Sequence, residues 1–119
     1  MDNVTAINRK RLFTLAEARA LLPLIRRITT RAVRDAEALR AQLHALGKRS
    51  PRYQQVEQEY NRVVNGWAVK MLKLGCEVKG LWLVDFDNGE GYYCWRYPEA
   101  TVDYYHTHEG GFTAREKIN

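Results

Sequence analysis

The sequence predicts an α+β fold, a long antiparallel helical hairpin followed by a three-stranded antiparallel β-meander. Up to Gly75, apolar residues recur at alternating spacings of three and four, which is typical of amphipathic helices. From Val78 onward they recur at every second residue, which is typical of strands. A chain of 119 residues is long enough for one core, so we expect a single domain over 1–119. The hairpin is predicted at about 15–74, and the meander with a C-terminal arm at about 76–119.

The first helix is predicted to begin at Leu15, because Thr14 and Glu17 have the spacing of a capping box. Pro23 lacks an amide donor and crowds the carbonyl four residues earlier, so we expect a kink or a fresh start there. A coiled-coil-type seam then continues along the helix. Its members are Leu22, Ile25, Thr29, Ala32, Ala36, Leu39, Leu43 and Leu46.

A short polar connection separates the two helices. Gly47 ends the first helix, and Ser50 followed by a proline provides a cap and a first-turn residue for the second. The short connection and the similar helix lengths predict an antiparallel pair. Gly75 ends the second helix, and Asn65 with Gly66 inside it indicates a close crossing or a break. The second seam comprises Tyr53, Val56, Tyr60, Val63, Trp67, Met71 and Leu74.

Three strands are predicted after the helices. The first covers 78–86 and is apolar on both faces through its middle, so we expect it to be central or covered. An Asp-Asn-Gly turn at 87–89 tolerates positive φ and predicts a hairpin to a second strand at 92–97. Pro98 ends that strand, and a third is predicted at 101–106. Alternation places Tyr93, Trp95 and Tyr97 on one face of the second strand and Tyr92, Cys94 and Arg96 on the other.

The composition, with 45% hydrophobic and 28% charged residues, is that of a folded domain and excludes a disordered chain. No apolar run approaches the roughly 18 residues needed to span a bilayer, so no membrane segment is expected. The start of the chain, Met1 to Val4, lacks the features of a secretory signal, which predicts a cytoplasmic protein. Cys76 and Cys94 are then expected as free thiols rather than as a disulfide.

The net charge of +5 is divided unequally along the chain. Residues 1–75 carry 15 Lys and Arg against 6 Asp and Glu, whereas residues 76–119 carry 4 against 8, so the two parts have net charges of +9 and -4. A basic helical part is typical of solvated helix faces, and it also suits an anionic partner such as nucleic acid. The arginines of the first helix fall on more than one of its faces, which disfavours a single binding stripe. They are Arg26, Arg27, Arg31, Arg34 and Arg40.

The second half of the chain carries a set of short motifs. They are Leu74-Gly75, Val78-Lys79, Leu83-Val84-Asp85-Phe86, Cys94-Trp95-Arg96, Glu99, Tyr105-His106, Gly111-Phe112 and Arg115. Together with Phe13-Thr14-Leu15-Ala16-Glu17-Ala18 and Leu21-Leu22-Pro23, these residues resemble the bacterial family of uncharacterised proteins DUF2203. The resemblance covers most of the chain. Because that family has no established activity, the resemblance indicates residues of interest without implying a reaction.

Two histidines and a cysteine near the end of the chain suggest a metal site. His106 and His108, two apart on an extended segment, would point to the same side, and Cys94 would add a thiolate. One of three carboxylates, Glu99, Asp103 or Glu109, would complete a tetrahedral set. We therefore take Cys94, His106 and His108 as candidate ligands and zinc as the candidate cofactor. The alternative is that the histidines are hydrogen-bonded or exposed where the strand ends.

A partly overlapping group forms the candidate ligand-binding site, namely Cys94, Arg96, Glu99, His106 and Arg115. For Arg96, Glu99 and Arg115 we favour a structural ion-pair cluster that holds the C-terminal arm in place. Cys94 lies between two aromatic residues on a predicted strand, a setting more typical of a small buried side chain than of a nucleophile.

These patterns favour a non-catalytic interaction or small-ligand-binding module that forms a homodimer or binds a protein partner. Ala32 and Ala36 permit close helix approach, and a neighbouring face is left for a second subunit. That face consists of Leu21, Leu24 and Ile28. One alternative is a metal- or thiol-dependent enzyme with its site on the C-terminal sheet. Another is nucleic-acid binding through the basic helices, which the acidic charge of the aromatic sheet disfavours.

Overall fold

The computed structural model describes residues 11–119, which form two helices and one antiparallel sheet. Helix α1 spans Leu15–Leu46, and helix α2 spans Tyr53–Lys73. The strands are β1 (Glu77–Gly80), β2 (Leu83–Asp87), β3 (Gly91–Arg96), β4 (Tyr104–Thr107) and β5 (Glu116–Lys117), paired in that order, with a 3₁₀ helix at Phe112–Ala114 before β5. The α+β class and the helical hairpin are confirmed, but the sheet within residues 11–119 has five strands rather than three. Met1 to Val4, on which the predicted location depends, lie outside the described residues.

Helix α1 begins at the predicted capping box. The hydroxyl of Thr14 accepts from the amide of Glu17 at 3.1 Å, and the carboxylate of Glu17 accepts from the amide of Thr14 at 2.9 Å. The helix then continues through Pro23 without a fresh start. Leu22 and Ile25 are both buried in the same core, and this shared packing keeps the helix continuous across the proline.

Helix α2 begins two residues later than the predicted start at Pro51. The hydroxyl of Ser50 accepts from the amide of Arg52 within the preceding turn, and Arg52 is the N-cap without a side-chain bond. The helix is continuous through Gly66, where an added Cβ would meet no atom within 4 Å. Gly66 therefore marks neither a break nor a close crossing.

The predicted first strand is divided into β1 and β2 by a turn at Leu81 and Trp82. Trp82 has a φ of 60°, which is unusual for a bulky residue, and its indole packs edge-on against Trp67 with the ring centroids 4.9 Å apart. A bulge at Lys79 then brings Val78 opposite Val84. Because the turn and the bulge together preserve the alternation of faces, the sequence pattern resembles a single strand. The other unpredicted strand, β5, is too short to produce a pattern.

The two faces of the sheet differ in their chemistry. Val84, Phe86 and Trp95 lie on the face that the helices cover, and Tyr93 and Tyr97 pack against the same core. The opposite face is polar and carries Asp85, Asp87, Tyr92, Cys94, Arg96, Tyr104 and His106. The predicted alternation along β3 is thus confirmed.

The hairpin extends beyond the sheet. Helix α1 contributes to the main core from Leu15 to Ala32, and helix α2 contributes only from Trp67 onward. Between residues 33 and 66, only Ala36 and Val56 are buried. Over residues 11–119, neither helix has the length and apolar character that crossing a bilayer requires.

Candidate functional site

A buried cluster of three chemically reactive side chains lies on the polar face of the sheet. Asp85 on β2 and Cys94 on β3 are direct cross-strand partners, and His106 extends from the adjacent strand β4. Each contributes one potential metal-binding atom, and the three atoms lie within 4.8 Å of one another. Asp85 and Cys94 are fully buried and His106 is 4% exposed, so the cluster is shielded from solvent.

The hydrogen bonds of His106 define the cluster. Its Nε2 lies 3.0 Å from Oδ2 of Asp85, and its Nδ1 lies 2.8 Å from the carbonyl oxygen of Thr107. Because a carbonyl can only accept, Nδ1 is the donor in that contact. The second carboxylate oxygen of Asp85, Oδ1, is buried and has no hydrogen-bond partner among residues 11–119.

The same surroundings make Cys94 a poor nucleophile. Burial raises the pKa of the Cys94 thiol to about 12, and the neighbouring Asp85 carboxylate raises it further. Burial also raises the pKa of Asp85, against the opposing effect of His106. A thiol nucleophile needs a lowered pKa and a base directed at its sulfur, whereas His106 is directed at Asp85. This arrangement disfavours a thiol-dependent enzyme.

Arg115 lies over Cys94 and is held there by Glu99. Its Nη1 is 3.9 Å from the sulfur of Cys94 and 3.0 Å from Oε1 of Glu99, while Nη2 donates to Oε2 of Glu99. The guanidinium also stacks on the rings of Tyr104 and Phe112, at 4.0 and 4.2 Å from their centroids. Bidentate pairing and stacking fix the C-terminal arm against the sheet.

The ion pair between Glu99 and Arg115 confirms part of the predicted structural cluster. Arg96 joins it through its backbone, whose amide donates to Glu99 at 2.8 Å, while its guanidinium lies 5.4 Å from the centroid of Phe112. The hydrogen-bonding groups of Glu99 are therefore occupied within the fold. The ligand-binding roles of Cys94, Arg96, Glu99, His106 and Arg115 stay a prediction.

The structure separates the predicted metal ligands. Cys94 and His106 come together, but Nε2 of His108 lies 3.0 Å from Oδ1 of Asp87, outside the cluster. Both histidine rings pack against Tyr92, with centroids 5.3 and 4.8 Å from its ring, so they lie on one side of the sheet as expected. His108 is nevertheless paired with Asp87 rather than with Asp85 and Cys94. Asp85 takes the third position, and the sequence signal for it was a carboxylate within an otherwise apolar strand.

A second feature is a groove of about 940 Å³ between the helices, which we call the basic groove. Its lining comprises Leu24, Arg26, Arg27, Ile28, Thr30, Arg31, Ala32, Arg34, Asp35, Arg62, Val63, Gly66, Trp67 and Lys70. Four of the five arginines noted in the first helix thus share one surface, and only Arg40 lies outside it. Although these arginines lie on more than one face of α1, four of them therefore contribute to a common groove.

The charge of the basic groove is largely uncompensated. Six cationic side chains line it, against the single carboxylate of Asp35. Arg26 is engaged in the fold, since it donates to the carbonyls of Glu99 and Ala100. The other five make no ion pair with a carboxylate of residues 11–119, and they are Arg27, Arg31, Arg34, Arg62 and Lys70.

Residues 11–118 match a protein-family model described as "Uncharacterized conserved protein (DUF2203)". This match includes both helices, the buried cluster and Arg115. Searches of curated proteins and of solved structures give no match to the chain. A functional assignment therefore depends on the geometry of the cluster and of the basic groove.

Proposed function

Because this chain belongs to the DUF2203 family of uncharacterised conserved proteins, its function has to be inferred from its own geometry, and we propose a non-catalytic binding module for small polyanions. The basic groove carries this proposal. It gathers five cationic side chains that have no carboxylate partner within residues 11–119. Such a concentration of one sign of charge in a concave site raises the local concentration of anions.

The dimensions of the basic groove favour a small ligand over a nucleic acid. A volume of about 940 Å³ falls within the range of roughly 300–1,000 Å³ that is typical of small-molecule sites. A nucleic acid would need a basic track that continues across the protein, whereas residues 76–119 carry a net charge of -4. We therefore propose a ligand with two or more phosphate-like groups.

The basic groove also provides apolar contacts. Ile28 and Val63, both half-buried, line it between the cationic side chains, whereas Trp67 is buried and its indole donates a 2.8 Å hydrogen bond to Thr29. A polyanion with an attached apolar group would therefore contact both kinds of surface. The lining of the basic groove contains one carboxylate, that of Asp35, and no histidine or cysteine.

Calorimetric titration with inorganic triphosphate tests the proposal. We expect one binding site whose affinity falls steeply as salt is raised, because exposed charges are screened within about 10 Å at 0.1 M salt. Arg31→Gln and Arg34→Gln should each weaken binding about tenfold, since a hydrogen bond to a charged group contributes roughly 1.5 kcal/mol or more.

Arg40→Gln is the matched control. It makes the same change on the same helix, but Arg40 lies outside the basic groove with 69% of its side chain exposed. Its affinity for triphosphate should equal that of the wild type. Equal losses in all three variants, or no measurable binding in the wild type, would contradict the proposal. Much tighter binding of a short oligonucleotide than of triphosphate would support the nucleic-acid alternative instead.

We also propose that the module forms a homodimer through its helices. Residues 33–66 bury only two side chains, so this part of the hairpin lacks a core of its own. Leu21 and Ile28 pack against the main core, and Leu24 is 37% exposed, whereas Val69 and Leu72 on α2 are each 47% exposed. The candidate interface is therefore on α2. Light scattering at micromolar and higher concentrations should give twice the chain mass, and a monomer throughout would exclude the dimer.

We further propose that the module is cytoplasmic. Cys76 and Cys94 are both free and buried, as expected for a reducing compartment. Fractionation of cells that express the full chain should recover it with cytosolic markers, and recovery with secreted proteins would contradict this location.

A further inference from the structure

The buried cluster of Asp85, Cys94 and His106 is a binding site of a different kind, and we propose that it holds a zinc ion. The three side chains supply oxygen, sulfur and nitrogen, the atoms that zinc prefers in proteins. They come from three adjacent strands, so an ion bound to all of them would join β2, β3 and β4.

The hydrogen bonding of His106 requires something positive between its ring and Asp85. Its Nδ1–H is donated to the carbonyl of Thr107, which leaves Nε2 with a lone pair in the neutral ring. That lone pair faces Oδ2 of Asp85 at 3.0 Å. Two acceptors at this distance repel each other unless a proton or a metal ion lies between them. Histidine ligands of zinc usually donate their other ring N–H to a carbonyl or carboxylate in this way, which fixes the tautomer.

The carboxylates of this face have unused bonding capacity. Oδ1 of Asp85 and Oε2 of Glu77 are both buried without a hydrogen-bond partner among the described residues. Glu77 and Asp85 are also cross-strand partners, and like charges in that position oppose strand pairing. Lys79 compensates Glu77 through a 3.1 Å ion pair. No comparable cation pairs with Asp85 within residues 11–119, apart from its contact with His106.

The charges of the cluster balance around a divalent ion. Cys94 would release its proton to solvent on binding, so a thiolate and the Asp85 carboxylate would neutralise Zn²⁺. Arg115 would donate to the thiolate from its present position 3.9 Å away. Its own charge is compensated by Glu99, so it adds no net charge beside the ion. The sulfur ligand excludes magnesium and calcium, which bind oxygen.

The spacing of the cluster requires a small contraction to bind the ion. Nitrogen, oxygen and sulfur ligands of one tetrahedral zinc lie roughly 3.5 Å apart, as its bond lengths of about 2.0–2.3 Å dictate. The three atoms here lie within 4.8 Å of one another, and the nitrogen and oxygen are already at 3.0 Å. The sulfur of Cys94 would therefore move toward the other two atoms, and a water molecule would take the fourth position that the three side chains leave.

Zinc affinity and cobalt absorption test the proposal on protein that has been stripped with a chelator and kept reduced. In competition with a chromophoric chelator, we expect one Zn²⁺ per chain with a dissociation constant on the order of 10⁻⁸ M or tighter. With Co²⁺ we expect a near-ultraviolet thiolate-to-metal band. Cys94→Ser should abolish that band and weaken Zn²⁺ binding by more than about 100-fold, beyond the loss typical of outer-shell residues.

Two variants serve as matched controls. Cys76→Ser removes the other buried thiol, and His108→Asn removes the histidine that pairs with Asp87, so both should retain the band and the affinity. If Cys94→Ser does not fold, the Cys76→Ser protein still decides the matter, because Cys94 is then the only thiol in the chain. A wild-type protein without the thiolate band, or equal zinc affinity in Cys94→Ser, would show that a proton rather than a metal joins His106 and Asp85.

Discussion

Replacing Thr29 by valine should destabilise the protein by about 1–3 kcal/mol. Thr29 is fully buried, and its hydroxyl accepts a 2.8 Å hydrogen bond from the indole of Trp67, which is 2% exposed. Valine keeps the shape of threonine and a similar helix propensity, so the main loss is the acceptor. The indole N–H would then be buried without a partner, and burying an unpaired donor lowers the free energy of unfolding by about 1–3 kcal/mol.

Thermal and guanidinium unfolding would measure this effect. For a domain of this size, 1 kcal/mol corresponds to roughly 4 °C, so Thr29→Val should lower Tm by about 4–12 °C. Thr30→Val is the matched control, since it makes the same change on the half-exposed neighbouring residue and should stay within about 0.5 kcal/mol of the wild type. Trp67→Phe should also cost less in the Thr29→Val background, because the hydrogen bond is already lost. Equal effects of the two valine variants would refute the role of this bond.

Three further predictions concern single residues. Gly66→Ala should raise the free energy of unfolding by about 1 kcal/mol in chemical denaturation, because the new methyl group meets open space on a helix. Gly91→Ala should lower it, since the added Cβ would lie 2.6 Å from the carbonyl oxygen of His106. In the Cys94→Ser protein, Cys76 should react with an aromatic disulfide reagent at pH 8 only after unfolding, because burial raises its pKa to about 12; fast reaction of the folded protein would contradict this. The pKa of Glu17 in an NMR titration should be below that of an ordinary glutamate, because its carboxylate accepts from the amide of Thr14. The associated stability is present above the ordinary pKa and is lost as pH falls through the lowered one, and an unshifted titration would count against the capping box.

Local sequence patterns predicted the structure correctly where it is determined by residues that are close along the chain. The capping box of Thr14 and Glu17 and the alternation along β3 both depend on contacts between nearby residues, and both are confirmed. The turn at Trp82 depends instead on packing against Trp67, which is 15 residues earlier. Without that contact, the β1–β2 hairpin has no strong turn signal, so one strand was predicted where there are two.

The candidate sites divide in the same way. Cys94 and His106 were chosen for their chemistry, but their meeting with Asp85 depends on the register of three strands. In the basic groove, the arginines of α1 belong to one helix, so the sequence alone shows that they lie near one another. Arg62 and Lys70 approach them from α2, and only the packing of the hairpin brings the two sets together. Sequence periodicity gives the faces of each helix but not the charge of the surface that two helices share.

An NMR titration that observes the arginine side chains most directly tests the proposed binding module. With inorganic triphosphate added to isotope-labelled protein, the Nε–Hε signals of Arg31, Arg34 and Arg62 should shift together and saturate at one equivalent, because these side chains line the basic groove. The signals of Arg96, on β3, and of Arg115, over Cys94, should stay in place, because neither side chain lines the basic groove. Shifts confined to Arg96 and Arg115, or no shift at any arginine, would contradict binding in the basic groove.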